Sequence, residues 1–292
     1  MAAAPALSSS STSVLPLLSS HSKKQSKWVR TSIRSSLFDD SSTLLLQAAK
    51  HTVDSYVENG MSIGLGSGRA SGFAIQYLGR QLLSGAIKDI IGIPTSVGSA
   101  SEAAKAGVPL GQYRDSSKID LAFDDADVVE METLAAVIGR QKMQDGESII
   151  QEKTILKAAG KRVLIVAEKQ YRSGVDGSIP VLINSVNWLE TAEEIDDMFL
   201  GDAEVWRRSS VGYAAGPSGG DFPLVTKEGH YVLDVIFTSP ILTLAEVADK
   251  LDQLNGVVEH GVISRIPCTA VIATENGLRV IDNTLKVEGS MI

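Results

Sequence analysis

The chain has 292 residues, of which 43% are hydrophobic and 5% aromatic, with 26 Gly and 9 Pro. That balance is ordinary for a soluble α/β protein and allows one large domain or two smaller ones; two are expected. A formal charge of −8 argues against a general nucleic-acid surface, and no window holds the roughly 18 successive apolar residues that a membrane-spanning helix needs. Cys268 is the single cysteine, so no internal disulfide forms, and His21, His51, His230 and His260 lack metal-ligand spacing; no metal site is expected.

Residues 1–38 contain no Asp or Glu, twelve Ser, and five positive charges at Lys23, Lys24, Lys27, Arg30 and Arg34. This is the composition of an organelle transit peptide, disordered and followed by the mature protein. A secretory signal would set its positive charges ahead of a continuous apolar run, whereas here they follow a Ser-broken stretch. Plastid import is therefore the expectation, and removing five positive charges from −8 leaves −13 on the mature part.

From Asp39-Asp40-Ser41-Ser42, which suit a helix start, Leu45, Ala49, Val53, Tyr56 and Val57 recur at helical spacing as far as Asn59-Gly60. Met61 to Gly64 reads as a buried strand, Gly64-Leu65-Gly66-Ser67-Gly68 as a tight turn, and Ala74, Leu78 and Leu82 as one helical stripe. Further strands are predicted at Ile87 to Ile93, Val108 to Gln112, Ile119 to Phe123 and Arg162 to Ala167, with helices at Ser99 to Ala106 and Glu147 to Ala159. Strands alternating with helices imply a mostly parallel sheet covered on both faces. Beyond Pro180 the texture changes to helix (Trp188 to Phe199), a stretch from Glu204 to Arg208, a Gly- and Ser-rich loop, strand (Tyr231 to Phe237), helix (Leu244 to Leu254) and strand (Val257 to Ile263), a small α+β unit. Thr269 to Ala273 and Leu278 to Ile281 form a hairpin around Glu275-Asn276-Gly277 that returns to the large sheet.

Three places carry residues suited to chemistry. The Gly64 to Ser71 loop, between a strand and a helix, lets backbone N–H groups and a helix N-terminus approach an anion, with Ser67 and Ser71 offering hydroxyls and Arg69 a charge. Asp124, Asp125, Asp127 and Glu130 gather at the carboxyl end of a strand, where ligands of open α/β sheets bind; crowded carboxyls there raise one another's pKa and serve as proton donors, or else hold magnesium. Glu152 follows on a helix beside Lys153. Taken alone, the glycine loop is better read as a structural turn and Glu152 as a surface residue, and the acidic run is compatible with a solvated loop.

Their order is more specific. Asn59-Gly60-Met61-Ser62-Ile63-Gly64-Leu65-Gly66-Ser67-Gly68, Ile93-Pro94-Thr95-Ser96, Phe123-Asp124-Asp125-Ala126-Asp127 and Gln151-Glu152-Lys153 occur in succession. They are followed by Tyr231-Val232-Leu233-Asp234-Val235, Gly256-Val257-Val258-Glu259-His260-Gly261 and Ala270-Val271-Ile272-Ala273. From Leu45 to Ile281 the chain resembles the A-type ribose-5-phosphate isomerases. The resemblance implies the Rossmann-like α/β fold shared with glucosamine-6-phosphate deaminases and CoA transferases, formed by residues 39–179 and 261–292, with a small ferredoxin-like domain at 180–260. It implies a homodimer or homotetramer without cofactor or metal, acting on a sugar phosphate. Glu152 would move a proton between C2 and C1 through an enediolate, with Asp124 and Asp127 handling the sugar hydroxyls and ring opening. Gly66, Ser67, Gly68, Arg69, Asp125, Ala126, Lys142, Gly146 and Lys169 would contact the substrate.

The chain departs from the family pattern at three points. Met143-Gln144-Asp145-Gly146 stands where the family has Lys-Gly-Gly-Gly, so the lysine is either missing or displaced to Lys142; Asp125 replaces the glycine of Asp-Gly-Ala-Asp; and Arg69-Ala70 stands where a small hydroxyl pair is usual. Two readings follow. One is an active pentose-phosphate isomerase of the plastid, serving the pentose phosphate pathway or carbon fixation. The other is a weak or inactive sugar-phosphate-binding relative with a sensor or interaction role.

Overall fold

The computed structural model describes residues 40–114, 118–140, 148–210, 216–241 and 243–283. The expected transit peptide, Lys142 and Gly146 lie outside them. In chain order the elements are α1 (Asp40–Tyr56), β1 (Ser62–Leu65), α2 (Arg69–Ser84), β2 (Ile91–Pro94), α3 (Val97–Ala106), β3 (Ile119–Asp124), β4 (Val128–Glu130) and β5 (Ala136–Val137). There follow α4 (Ile149–Ala158), β6 (Ala159–Ala167), β7 (Tyr171–Arg172), β8 (Val175–Ile183), α5 (Trp188–Met198), β9 (Ala203–Arg207), β10 (Tyr231–Ile241), α6 (Leu244–Leu251), β11 (Val257–His260), β12 (Val262–Ile263), β13 (Thr269–Thr274) and β14 (Gly277–Asp282).

The principal sheet has the order β14-β13-β6-β3-β1-β2. Its first five strands in sequence run parallel to their neighbours, and β14 closes one edge antiparallel to β13. This is the mostly parallel α/β sheet that the alternation of strands and helices predicts. Successive residues of β6 serve opposite faces. Val163 and Ile165 join Leu65, Phe123 and Val271 beneath α1 and α2, while Leu164 and Val166 join Ile119, Ala270 and Ile272 beneath Ile155 and Leu156 of α4. Because both faces are covered, the strand centres read as largely apolar runs, and each buried Ile, Leu or Phe contributes roughly 1.5–3 kcal/mol.

A second, antiparallel sheet has the order β11-β8-β10-β9 and is built in the sequence β8-α5-β9-β10-α6-β11. This βαββαβ chain order, with its fourth strand beside its first and its third between first and second, is the ferredoxin-like arrangement. Ile179, Val181, Leu233 and Val235 pack there against Ile195, Phe199, Leu244 and Leu251. A third sheet, β12-β5-β4-β7, is made of strands two or three residues long.

Several elements differ from expectation. The strand predicted from Ile87 begins only at Ile91, because Asp89 takes a left-handed φ of 59°. Val108 to Gln112 forms a single bridge between Leu110 and Gly92; Pro109 has no N–H, and its carbonyl accepts from Gly92. The predicted strand Val257 to Ile263 is two strands in different sheets. Gly261 separates them, donating its N–H to Pro180 O at 2.7 Å and accepting from Ile138 N–H at 2.8 Å. A Cβ there would lie 2.3 Å from Ile138 O, so only glycine passes.

A candidate active site at the carboxyl ends of the strands

β1 and β3 are parallel neighbours with Leu65 opposite Phe123, so the loops that leave them emerge side by side. Gly66 makes that close approach possible. A Cβ at this position would stand 2.3 Å from Asp124 Oδ1 and 2.4 Å from Phe123 O. The adjacent Ser67 N–H donates to Asp124 Oδ1 at 2.8 Å, and Asp125 N–H donates to the same oxygen at 2.9 Å. Ser67 Oγ also meets Thr95 Oγ1, just past β2, at 3.0 Å, and Thr95 donates to Leu65 O. The carboxyl ends of three parallel strands thus converge on Asp124, which is fully buried.

Gly66→Ala is expected to lower kcat/KM about 100-fold, as small displacements of reacting groups do. Its methyl group must push Asp124 off the Ser67 N–H. Steady-state kinetics with circular dichroism on the folded variant check this, and unchanged kinetics would show that the close approach does not govern the site.

Glu152 reaches the same place from α4. Ser148 caps that helix, accepting from Gln151 N–H at 3.2 Å while its hydroxyl donates to Glu228 Oε1 at 2.5 Å. Gln151, Glu152 and Lys153 tie its first turn to separate parts of the fold. Gln151 Nε2 donates to Pro94 O at the end of β2 at 2.9 Å and Gln151 Oε1 accepts from Lys227 at 2.6 Å. Lys153, buried, donates to Glu259 and, at 2.8 Å, to His260 O. Glu152, between them, shares a hydrogen bond with the Asp124 carboxyl.

Burial first, then the charges of Glu152 and Asp125 and the hydrogen bond with Glu152, raise the Asp124 pKa well above the ordinary carboxylic range, against the opposing Ser67 N–H. The two carboxyls therefore act as a coupled pair that holds a proton more readily than isolated acids do. A base and an acid side by side, at fixed distance from a glycine loop, are what proton transfer to and from a small substrate requires.

The structure places the other expected residues as follows. Asp125 turns its carboxylate onto the amino end of α2, accepting from Ala70 and Ser71 N–H. Ala126 is buried, and its carbonyl accepts from Gln170. Asp127, half-buried, accepts from Arg140 N–H at 2.8 Å and so fixes the chain just before 141–147. Gly68 takes a φ of 117°. The Arg69 guanidinium, read in the sequence as a charge for phosphate, donates to the buried Ser42 hydroxyl of α1. Lys169 is exposed on the 3₁₀ turn Glu168–Gln170. Glu130, grouped with the acidic loop in the sequence, instead accepts from Thr133 and from Leu244 N–H at the start of α6. Among the described residues no group of three or more His, Cys, Asp or Glu side chains is disposed to hold a metal ion.

Thr95, which meets Ser67, and Gln151, which meets Pro94, were quoted in the sequence only as parts of motifs and given no role, and Lys227, which meets Gln151, was not named at all. The position of Thr95 directly after a predicted parallel strand was the available signal; Lys227 had none, being brought from a turn 75 residues after Glu152.

Fold and site together define a class, the open α/β proteins that bind small molecules at the carboxyl ends of parallel strands, here equipped for acid and base chemistry. The model of the Ribose 5-phosphate isomerase A (phosphoriboisomerase A) family matches residues 91–277, and the chain belongs to that family. It is 32% identical over 241 residues to ribose-5-phosphate isomerase A of Gloeobacter violaceus, covering 82% of this chain and 96% of the relative. It is 31% identical to a probable ribose-5-phosphate isomerase 3 of Arabidopsis thaliana named as chloroplastic, covering 80% and 81%. A solved D-ribose-5-phosphate isomerase in complex with phospho-erythronic acid superposes with a TM-score of 0.71 at 26% identity, covering 82% of this chain and 98% of the other.

Proposed function

We propose that the chain interconverts D-ribose 5-phosphate and D-ribulose 5-phosphate, and that Glu152 is the base. Starting from the open aldose, Glu152 takes the proton from C2, the electron pair moves into a C1–C2 double bond, and the C1 oxygen accepts a proton. Glu152 then returns its proton to C1 as the C2 oxygen loses its own, giving the ketose. Asp124, which burial and the neighbouring carboxyls make readier to hold a proton, is the acid at the sugar oxygens, and Asp127 assists ring opening. Lys142 is assigned to the developing negative charge. The observation that carries this reading is the Asp124–Glu152 carboxyl pair beside the Gly66–Ser67 turn. Family membership and the phosphorylated acid bound by the solved relative support it.

The remaining assignments belong to the same reading. Residues 39–179 with 261–292 form the catalytic body, and 180–260, whose strands and helices follow the ferredoxin-like order, are its insertion. The chain works as a homodimer or homotetramer in the plastid after loss of residues 1–38, in pentose phosphate metabolism and carbon fixation. The acid-free, Ser-rich composition of residues 1–38 and the chloroplastic name of the Arabidopsis relative support the location.

The test is conversion of ribose 5-phosphate by the purified full chain in deuterated water, with the ketose analysed for deuterium at C1. Turnover with solvent label at C1 is expected, since a carboxylate exchanges its proton with solvent. Folded protein that binds the sugar phosphate but turns none over would favour the non-catalytic relative. Asp125, a third carboxylate beside the pair, and Arg69, whose guanidinium is turned to Ser42, are the observations on that side.

A further inference from the structure

The amino end of α2 has the form of an anion seat and already holds an anion. Ala70 and Ser71 donate their N–H groups to the two oxygens of Asp125 at 2.9 and 2.6 Å, and the backbone of Arg69 joins them. The fully buried Ser71 hydroxyl lies beside the same carboxylate and favours its charged form, without a hydrogen bond of ordinary geometry to it. The N-cap residue Gly68 gives the helix no side-chain cap, and a Cβ there would lie 2.5 Å from the Asp125 carboxyl carbon. The glycine is what leaves room for that side chain. Successive N–H groups, a helix dipole and a glycine turn are the features that suit a phosphate, and here all three are engaged by a residue of the neighbouring loop. Asp125 as a whole is half-buried, yet its carboxylate is turned inward, and that desolvation pushes its pKa up to about 6 against the pull of the N–H groups. It still carries its charge at neutral pH.

We propose that Asp125 is a specificity-determining residue: an internal anion that fills the amino end of α2 and keeps an external phosphate out of it. A second anion entering there meets a like charge in a desolvated place and finds its donors taken. The phosphate of a sugar phosphate is consequently held elsewhere in the site, and affinity for phosphorylated pentoses is set below what the bare helix end would give. The choice of substrate rests on the isomerase reading; the occupation of the helix end does not.

The experiment titrates the full chain, Asp125→Gly and Asp125→Asn with inorganic phosphate by calorimetry, and measures KM for ribose 5-phosphate in the same three proteins. Asp125→Gly is expected to bind phosphate tighter by on the order of tenfold or more, with Asp125→Asn between it and the parent, because a like-charge juxtaposition has been removed. KM for ribose 5-phosphate should fall in the same order. Phosphate affinity and KM unchanged in both variants would overturn the proposal. Should Asp125→Gly fail to fold, Asp125→Asn, which keeps an acceptor for one N–H, decides alone. If none of the proteins turns over ribose 5-phosphate, the isomerase reading has failed, while the phosphate titration still decides the role of Asp125.

Discussion

Glu152→Gln is expected to lower kcat for ribose 5-phosphate isomerisation by about 1,000-fold, the middle of the range for loss of a positioned base, while KM changes little. Glutamine has nearly the shape of glutamate and leaves Ser148, Gln151 and Lys153 to hold the first turn of α4. What it removes is the group that accepts the C2 proton. The same substitution acts on the partner carboxyl. Part of the rise in the Asp124 pKa comes from the charge of Glu152 and from their hydrogen bond, so neutralising position 152 lowers it, with burial and Asp125 keeping it above the ordinary value. Any remaining activity should therefore lose its acid at lower pH than the parent does. Steady-state kinetics across pH check both effects, and a variant with parental kcat would remove Glu152 from the mechanism.

The largest stability effect is expected away from the site. Arg208, just past β9, forks onto Asp234 in the middle of β10, with Nε donating to Oδ2 at 2.8 Å and Nη2 to Oδ1, while Nη1 donates to Gly139 O at 2.9 Å. Asp234 is fully buried and Arg208 nearly so. Arg208→Met fills much of the same volume but leaves a buried carboxylate without its cation, which costs about 3–5 kcal/mol. Replacing both partners, as Arg208→Met with Asp234→Leu, should recover much of that loss, because no uncompensated charge remains. Urea denaturation of the three proteins checks the ordering. Equal midpoints for the single variant and the parent would mean that solvent reaches Asp234 after the change.

The parallel sheet was legible in the sequence because its strands are buried on both faces. Val163 to Ala167 is an unbroken apolar run, and Ile119 to Phe123 is interrupted only by Asp120; both stand apart from the amphipathic stripes of α1 and α2. Asp124 and Glu152 were picked out by the order of motifs along the chain and not by their local surroundings, and the structure brings their carboxyls together. Strands of two or three residues, such as β5 and β12, are too short to show a period of two. β8 was missed for another reason. Pro180 lies within it, and a proline there argues against a strand; in the structure that residue needs no N–H donor of its own, and its carbonyl serves Gly261. Contacts made across long separations, such as Lys153 with Glu259 or Arg69 with Ser42, leave no trace in local pattern at all.

The backbone of Gly261 is bonded on one side to the last-but-three residue of β8 and on the other to the segment after β5. It is the point at which the chain leaves the antiparallel sheet and is at once paired with the third. A swing of the ferredoxin-like layer as a rigid flap would have to break both bonds at the same residue, where no side chain is available to give way. The junction is thus a stitch made of backbone alone, which no rearrangement of side chains can loosen.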